Sequence, residues 1–236
     1  MGSLYPPDTH RWHEELQSPA DAFTRQMVSV RWDGEEVLRS HQATYDASPA
    51  TRYVGKTPGI FNFSDRFSGK ITGQRTLEPP PRDQNSEGSG RITVSLKIGG
   101  ARAAGAVEPL VQTGETGRAD TLFVRFIDDR RIALGLDHWG YGGPVSAPFE
   151  IDRTKDHELE VQMGSLDLRP VAGPAEVAAR RRFLVKLDGQ TVLETDQEFY
   201  PAKATQMFFG LNPVRASMAD VFAGQIVDVR PGEGSK

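Results

Sequence analysis

One segment of the chain, residues 137–143 with the sequence DHWGYGG, places a carboxylate, an imidazole and two large aromatic rings among three glycines. Aromatic faces beside polar groups hold sugar rings in shallow sites, and glycines let a ligand approach the backbone. The competing interpretation is that Trp139 and Tyr141 cap one end of the fold while His138 bonds a neighbouring loop. The hypothesis carried forward is a ligand-binding loop formed by Asp137, His138, Trp139 and Tyr141.

The composition excludes several other chemistries. The 236 residues include no cysteine, which excludes disulfides, thiolate metal sites and cysteine nucleophiles, and the five histidines show no metal-ligand spacing. No phosphate-binding loop, dinucleotide fingerprint or G-x-S-x-G motif is present. The net charge of -4 provides no basic field for a phosphate backbone. We therefore expect no nucleic-acid partner and no transition metal, and we find no apolar run long enough for a membrane span.

An internal repeat organises the chain. Residues 30–75 match residues 185–230 at a constant offset of 155, with identity at 15 of 46 positions. Both copies begin with an alternating strand that runs into Asp-Gly, at 33–34 and 188–189, which is the strongest short hairpin signal. Because the repeat is ungapped, we expect the copies to superimpose, with Trp32 in the place of Leu187 and both side chains facing a core.

The other elements that must position the loop also follow from alternation of apolar and polar residues. Strand-like runs cover 92–98, 121–127, 131–137, 149–151 and 157–163, and each copy of the repeat closes with an F-x-G-x-I pattern, at 67–71 and 222–226. No window has a convincing helical period, and 172–179 predicts at most a short helix. The sequence therefore predicts an all-β protein, an antiparallel β-sandwich of the jelly-roll kind with little helix.

The segments 108–114, 121–126, 183–189 and 222–230 resemble a laminin G-like domain of the concanavalin A-like lectin and glucanase superfamily. The resemblance covers residues 91–231. It implies that residues 1–76 are a copy of the C-terminal half of such a domain, and that 77–90, rich in Pro, Gly and polar residues, are a linker. It also implies an extracellular, cell-surface or periplasmic location, and calcium as a conceivable ligand, with Asp137 among its oxygen donors.

Glu150 and Asp152 raise the possibility of catalysis. On a strand they would share one face, and retaining glycoside hydrolases of the same superfamily use a related E-x-D-x-E pattern. Here Thr154 stands where the third carboxylate would be, so the proton donor for the leaving group is absent. We expect no catalytic residue and no enzyme activity, and we interpret the two carboxylates as solvated residues on an exposed face.

Three functions remain open at this point. The leading hypothesis is a noncatalytic recognition or adhesion module that binds a glycan or a protein. The alternatives are a structural subunit or assembly domain of a larger complex, and a glycoside hydrolase-like enzyme that uses Glu150 and Asp152. In each case we expect the apolar face formed by Val28, Val30, Trp32, Phe67 and Ile71 to be covered by residues 91–230, by another chain or by a further part of the parent protein.

Overall fold

The computed structural model describes residues 18–42, 69–71, 89–139, 141–170 and 173–232. Within them, two five-stranded antiparallel sheets and a separate two-stranded hairpin account for the strands. None of the helices in these residues is long and apolar enough to cross a membrane.

The first sheet contains β3 (Ser89–Lys97), β8 (Asp156–Asp167), β9 (Arg182–Leu187), β10 (Gln190–Asp196) and β12 (Gln225–Pro231). Its strand order is β10-β9-β8-β3-β12. Side chains of β8 alternate between buried and accessible positions, so this sheet has one core face and one outer face.

The second sheet contains β4 (Val107–Glu115), β5 (Arg118–Phe126), β6 (Arg131–His138), β7 (Phe149–Glu150) and β11 (Met207–Phe209), the last preceded by a 3₁₀ turn at Ala204–Gln206. Its strand order is β11-β4-β5-β6-β7. Most positions of β4, β5 and β6 are buried on both faces, which indicates that other segments of the same chain cover part of the outer face of this sheet.

The core lies between the two sheets. Ile92, Val94 and Leu159 of the first sheet and Leu122 and Leu134 of the second belong to one buried apolar cluster. A buried hydrogen bond of 2.8 Å from the Thr113 hydroxyl to Ser165 Oγ also joins the sheets. The predicted fold class, an antiparallel β-sandwich of the jelly-roll kind with little helix, is confirmed.

Two short helices accompany the sheets. Helix α1 (Pro19–Gln26) starts at an N-cap serine, Ser18, whose hydroxyl accepts a hydrogen bond from the Asp21 amide, and proline occupies its first turn. Helix α2 (Pro174–Arg180) also begins with proline. The sequence predicted a short helix near α2 but missed α1.

Helix α1 packs on the sandwich. Phe23 is 4% exposed and meets the Phe209 ring edge to face at 5.8 Å. The Gln26 carboxamide donates to the Met207 carbonyl at 2.6 Å and accepts from the Phe209 amide at 3.3 Å. Gln26 therefore pairs the free backbone groups of the edge strand β11, and α1 belongs structurally to the unit formed by residues 89–232.

The hairpin formed by β1 (Met27–Trp32) and β2 (Glu35–His41) repeats the geometry of β9 and β10. Asp33 and Asp188 both have φ of 49°, and each is followed by a positive-φ glycine, as a type I′ turn requires. Val30 pairs with Leu38 as Val185 pairs with Leu193. Each hairpin also has an irregularity on the turn side of that pair, at equivalent positions. At this level the hairpins match as the repeat predicts.

The burial of the two hairpins differs. Leu187 is 8% exposed, whereas Trp32 is 72% exposed and Val30 is 43% exposed. The expectation that Trp32 faces a core like Leu187 is therefore wrong within the described residues. The reason is that β9 pairs with β8 along its second edge, whereas β1 has β2 as its one strand partner among the described residues.

Other expectations about the first copy are partly outside the described residues. Phe67 lies among residues that the structure does not describe, and Ile71 is 47% exposed and not in a strand. Of the predicted linker 77–90, only Ser89 and Gly90 are described, and they begin β3. The division into a half-domain, a linker and a complete domain stays a prediction.

Candidate functional site

A buried carboxylate and an imidazole meet at one end of the second sheet. Asp120 near the start of β5 pairs with His138 at the end of β6, because the two strands are antiparallel neighbours in register. His138 Nδ1 lies 2.5 Å from Asp120 Oδ1. The second carboxylate oxygen, Oδ2, accepts a hydrogen bond of 2.8 Å from the Tyr200 amide. Asp120 is 0% exposed, and these two contacts compensate for its removal from water.

Three rings stack outward from this pair. The His138 ring lies against Tyr200 with 4.3 Å between centroids and an interplanar angle of 11°. It also lies near Tyr141, with 5.5 Å between centroids and an angle of 29°. We call His138, Tyr141 and Tyr200 the aromatic stack. Its outermost ring, that of Tyr141, is 82% exposed, so the stack begins at a buried carboxylate and ends in solvent.

Local backbone contacts hold the stack in place. His138 and Tyr141 are joined by a hydrogen bond from the Tyr141 amide to the His138 carbonyl at 2.9 Å, and the His138 amide donates to Gly142. Gly142 has φ of +68°, which favours glycine. At Gly143 a side chain would place Cβ 2.3 Å from the Leu136 carbonyl oxygen, so only glycine allows this return of the loop.

The remaining members of the predicted loop lie in different environments. Trp139 is half-buried, its amide donates to the Ala119 carbonyl, and its own carbonyl accepts from the Tyr200 hydroxyl at 3.2 Å. Asp137 is half-buried and precedes His138 on β6, so it lies on the opposite face of that strand. The structure thus brings His138, Trp139 and Tyr141 together and separates Asp137 from them.

Sequence reasoning missed Asp120 and Tyr200. Tyr200 carried a signal, because it is one of the identities of the repeat, paired with Tyr45. Asp120 carried none, since it directly precedes the predicted strand 121–127 and belongs to none of the motifs considered. A third neighbour, Arg118, places its guanidinium carbon 5.7 Å from the centre of the Tyr200 ring.

The electrostatics of the pair follow from burial. Burial raises the pKa of Asp120 to about 6, against the hydrogen bonds from His138 and from the Tyr200 amide, which lower it. The carboxyl group is thus placed where it exchanges a proton near neutral pH, unlike an exposed aspartate.

The two carboxylates of the hydrolase hypothesis do not share a strand face. Strand β7 ends at Glu150, so Asp152 lies in the following turn, where its carboxylate accepts hydrogen bonds from the Thr154 hydroxyl and amide. These bonds lower the pKa of Asp152 to about 2. Glu150 is exposed and forms an ion pair of 3.4 Å with Arg130. The expected strand placement is wrong, because the strand is two residues long.

A second imidazole and carboxylate pair has a structural role. His157 is 6% exposed; its Nδ1 lies 2.7 Å from Asp188 Oδ2 and its Nε2 lies 2.7 Å from the Asp152 carbonyl oxygen. Asp188 also accepts from the Glu158 amide at 2.9 Å. Asp188 is therefore more than a turn residue, since it attaches the β9–β10 turn to β8.

No group of three or more His, Cys, Asp or Glu side chains that could hold a metal ion occurs among the described residues. Calcium binding, with Asp137 as one donor, stays a prediction.

No protein-family model matches the chain, and no curated protein matches it significantly. Three solved structures illustrate the folds to which it is similar. The CBM40 domain of Ruminococcus gnavus IT-sialidase, bound to alpha2,3 sialyllactose, is 14% identical over 61% of this chain and 77% of that one, with a TM-score of 0.38. Domains LG4-5 of the mouse laminin alpha1 chain are 14% identical over 59% and 33%, with a TM-score of 0.33. Sheep galectin-11 in complex with glycerol is 12% identical over 50% and 78%, with a TM-score of 0.28.

The described residues therefore define an antiparallel β-sandwich protein that carries an aromatic stack at one end of its second sheet.

Proposed function

We propose that the protein is a noncatalytic recognition module that binds a glycan on the aromatic stack. The observation that carries the proposal is the Tyr141 ring, which is 82% exposed and stacks on the His138 ring, which in turn stacks on Tyr200. Because the ring is both accessible and held by contacts with the residues beneath it, it offers a preformed aromatic face to a ligand.

Rigidity of the stack supports the proposal. His138 is held by Asp120 at one ring nitrogen and by Tyr200 on one ring face. The backbone of Tyr141 is held by the hydrogen bond that its amide donates to the His138 carbonyl. A preformed platform loses little conformational entropy when a ligand binds, so more of the contact energy appears as affinity.

Chemistry around the stack suits a polyhydroxylated ring. The apolar C–H face of a sugar packs on an aromatic face, while its hydroxyls need donors and acceptors at the edge. The Tyr141 hydroxyl and the guanidinium of Arg118, on an exposed residue beside Tyr200, offer such groups. A carboxylate pair placed for hydrolysis is not part of this surface, because Glu150 and Asp152 line a separate cavity.

One observation favours the alternative of an assembly role. The β1–β2 hairpin exposes Val30, Trp32, Val37 and Leu38. An apolar surface of this kind is typical of protein contacts. Glycan recognition is preferred for the stack because its exposed member is a single tyrosine, flanked by polar groups, and not an apolar patch.

The proposal is tested with a glycan array probed by the labelled protein, followed by calorimetric titration of each glycan that is retained. We expect Tyr141→Ala to weaken binding by about fivefold or more, since loss of one aromatic contact costs about 1–3 kcal/mol at aromatic binding surfaces. Tyr141→Phe, which keeps the ring, should retain most of the affinity.

Trp32→Ala is the matched control. Trp32 is similarly exposed but lies on the hairpin, so its removal should leave glycan affinity unchanged. Retention of no glycan by the wild type, or equal losses for Tyr141→Ala and Trp32→Ala, would refute binding at the stack.

A further inference from the structure

A groove crosses the outer face of the first sheet, away from the core. It encloses a cavity of about 460 Å³ over strands β12, β3, β8 and β9. Register places four of its side chains in one row across the sheet, since Arg230 pairs with Thr93, Thr93 with Glu160, and Glu160 with Lys186. Side chains in such a row project to the same face, so the floor of the groove is a polar row that follows from the pairing of the strands.

One end of the groove continues into a second cavity of about 250 Å³ beneath α2. Arg91 and Gln162 line both cavities and mark their junction. Helix α2 approaches β8 closely there, because a side chain at Gly164 would place Cβ 2.2 Å from the Arg180 carbonyl oxygen. The groove is therefore closed at this end by the helix.

The groove offers both donors and acceptors. Arg230 pairs with Glu158 at 2.7 Å and Lys186 pairs with Glu160 at 3.2 Å, and all four side chains remain between a third and about half exposed. Such exposed ion pairs contribute little to stability and stay hydrated, so the polar groups of a ligand can replace some of the water molecules around them. At the junction, the Gln162 carboxamide oxygen is buried and accepts no hydrogen bond from the described residues.

We propose that this groove binds a neutral saccharide chain. Hydroxyl groups donate and accept at once, so they match a floor in which carboxylates, cations and a carboxamide alternate. Hydrogen bonds to charged groups are the stronger kind, which lets a shallow groove hold a neutral ligand. A reorientation of the Gln162 carboxamide toward a ligand hydroxyl also gives its unpaired oxygen a partner.

Other ligands fit the groove less well. Glu158 and Glu160 repel an anionic ligand, and they already form ion pairs with Arg230 and Lys186, respectively. An extended peptide adds to a free strand edge, whereas the polar row lies on the face of the sheet, where β3, β8 and β9 are paired on both sides and, of the four strands in the row, β12 alone has an outer edge. The site is separate from the aromatic stack, because none of the stack residues lines either cavity, and the inference goes beyond the function proposed above.

Titration followed by amide chemical shifts in NMR tests the inference on the full chain. The probes are maltohexaose, cellohexaose, xylohexaose and mannohexaose, with hexagalacturonate as the acidic counterpart, each at millimolar concentration. We expect at least one neutral probe to shift the amides of β3, β8 and β12 around Thr93, Glu160 and Arg230.

Variants then separate binding from folding. Gln162→Met and Glu160→Gln should each weaken binding of that probe about tenfold, the effect of one hydrogen bond. Gln162→Met should also keep or raise the melting temperature, because it removes a buried oxygen without a partner. Glu194→Gln is the matched control, since Glu194 forms a similar exposed ion pair with Arg182 on the same sheet outside the groove. This variant should bind the neutral probe with unchanged affinity.

Several outcomes would overturn the inference: no shift with any probe, shifts with hexagalacturonate alone, or equal losses in Glu160→Gln and Glu194→Gln. Shifts confined to residues around Tyr141 would also overturn it while supporting binding at the aromatic stack. Conversely, groove shifts without any at Tyr141 would support the groove and count against the stack, so the two proposals fail independently.

Discussion

Asp120 illustrates how strand pairing places a buried carboxylate beside an imidazole. Asp120 and His138 are 18 residues apart, and the register of β5 and β6 places them opposite each other. The carboxylate is completely buried, so its ionisation depends on this burial and on its two hydrogen bonds, with His138 and with the Tyr200 amide. A proton that is bound or released at Asp120 therefore changes both the stability of the fold and the charge beneath the aromatic stack.

This pair makes stability depend on pH. The folded protein holds a proton on Asp120 up to about pH 6, against 3.8 for an ordinary aspartate. A raised pKa contributes stability that is complete below the unfolded value and is lost as the pH rises through the folded one. We expect the free energy of urea unfolding to fall by up to about 3 kcal/mol from this group between about pH 4 and 7.

Asp120→Asn should flatten that dependence, because asparagine can still accept the bond from His138 but does not titrate. Asp128→Asn is the control: the hydrogen bond from Arg131 lowers the pKa of Asp128 to about 2, so that group stays ionised across the range. A slope in Asp120→Asn as steep as that of the wild type would show that Asp120 does not cause it.

At the scale of elements, the two hairpins show what a repeat can and cannot predict. Turn conformation, register and the position of the irregularity depend on local sequence, and the repeat predicted that the two Asp-Gly turns are equivalent. Burial depends on what lies beside the hairpin, so the burial of Trp32 could not be predicted from its equivalence to Leu187 in the other copy.

Helix α1 was missed although Ser18, Pro19 and Asp21 form a readable N-terminal signal, because eight residues are too few for a helical period to stand out. Strand β4 was missed because Pro109 and Gly114 interrupt its pattern.

The equivalent turns provide a matched pair of variants. Asp33→Ala and Asp188→Ala remove the same turn preference, since both residues have φ of 49°. Only Asp188 also bonds the buried His157 and the Glu158 amide. We therefore expect Asp188→Ala to lower the free energy of unfolding by about 1–3 kcal/mol more than Asp33→Ala does. Equal losses in chemical denaturation would mean that the attachment of the turn to β8 contributes nothing to stability.

For the whole molecule, alternation and turn signals were enough to predict a two-sheet antiparallel sandwich, because the positions of most strands follow from side-chain period alone. The candidate site was predictable in its loop, through His138, Trp139 and Tyr141, but not in the partners Asp120 and Tyr200, which pairing and chain return bring in from distant segments. The way in which residues 18–42 pack on the sandwich could also not be predicted from the sequence. The helix of that segment packs on the sandwich, whereas its hairpin extends into solvent.

That division of the segment leads to a test with two aromatic residues nine positions apart. Phe23 is 4% exposed against Phe209, and Trp32 is 72% exposed. Phe23→Ala should lower the free energy of unfolding by about 3–5 kcal/mol, because it leaves a cavity in the core. Trp32→Ala removes a larger side chain but should change stability by less than about 0.5 kcal/mol. Denaturation at several protein concentrations checks both. A large effect of Trp32→Ala that grows with concentration would mean that a second copy of the chain covers the hairpin, whereas a small effect of Phe23→Ala would show that α1 is not part of the cooperative sandwich.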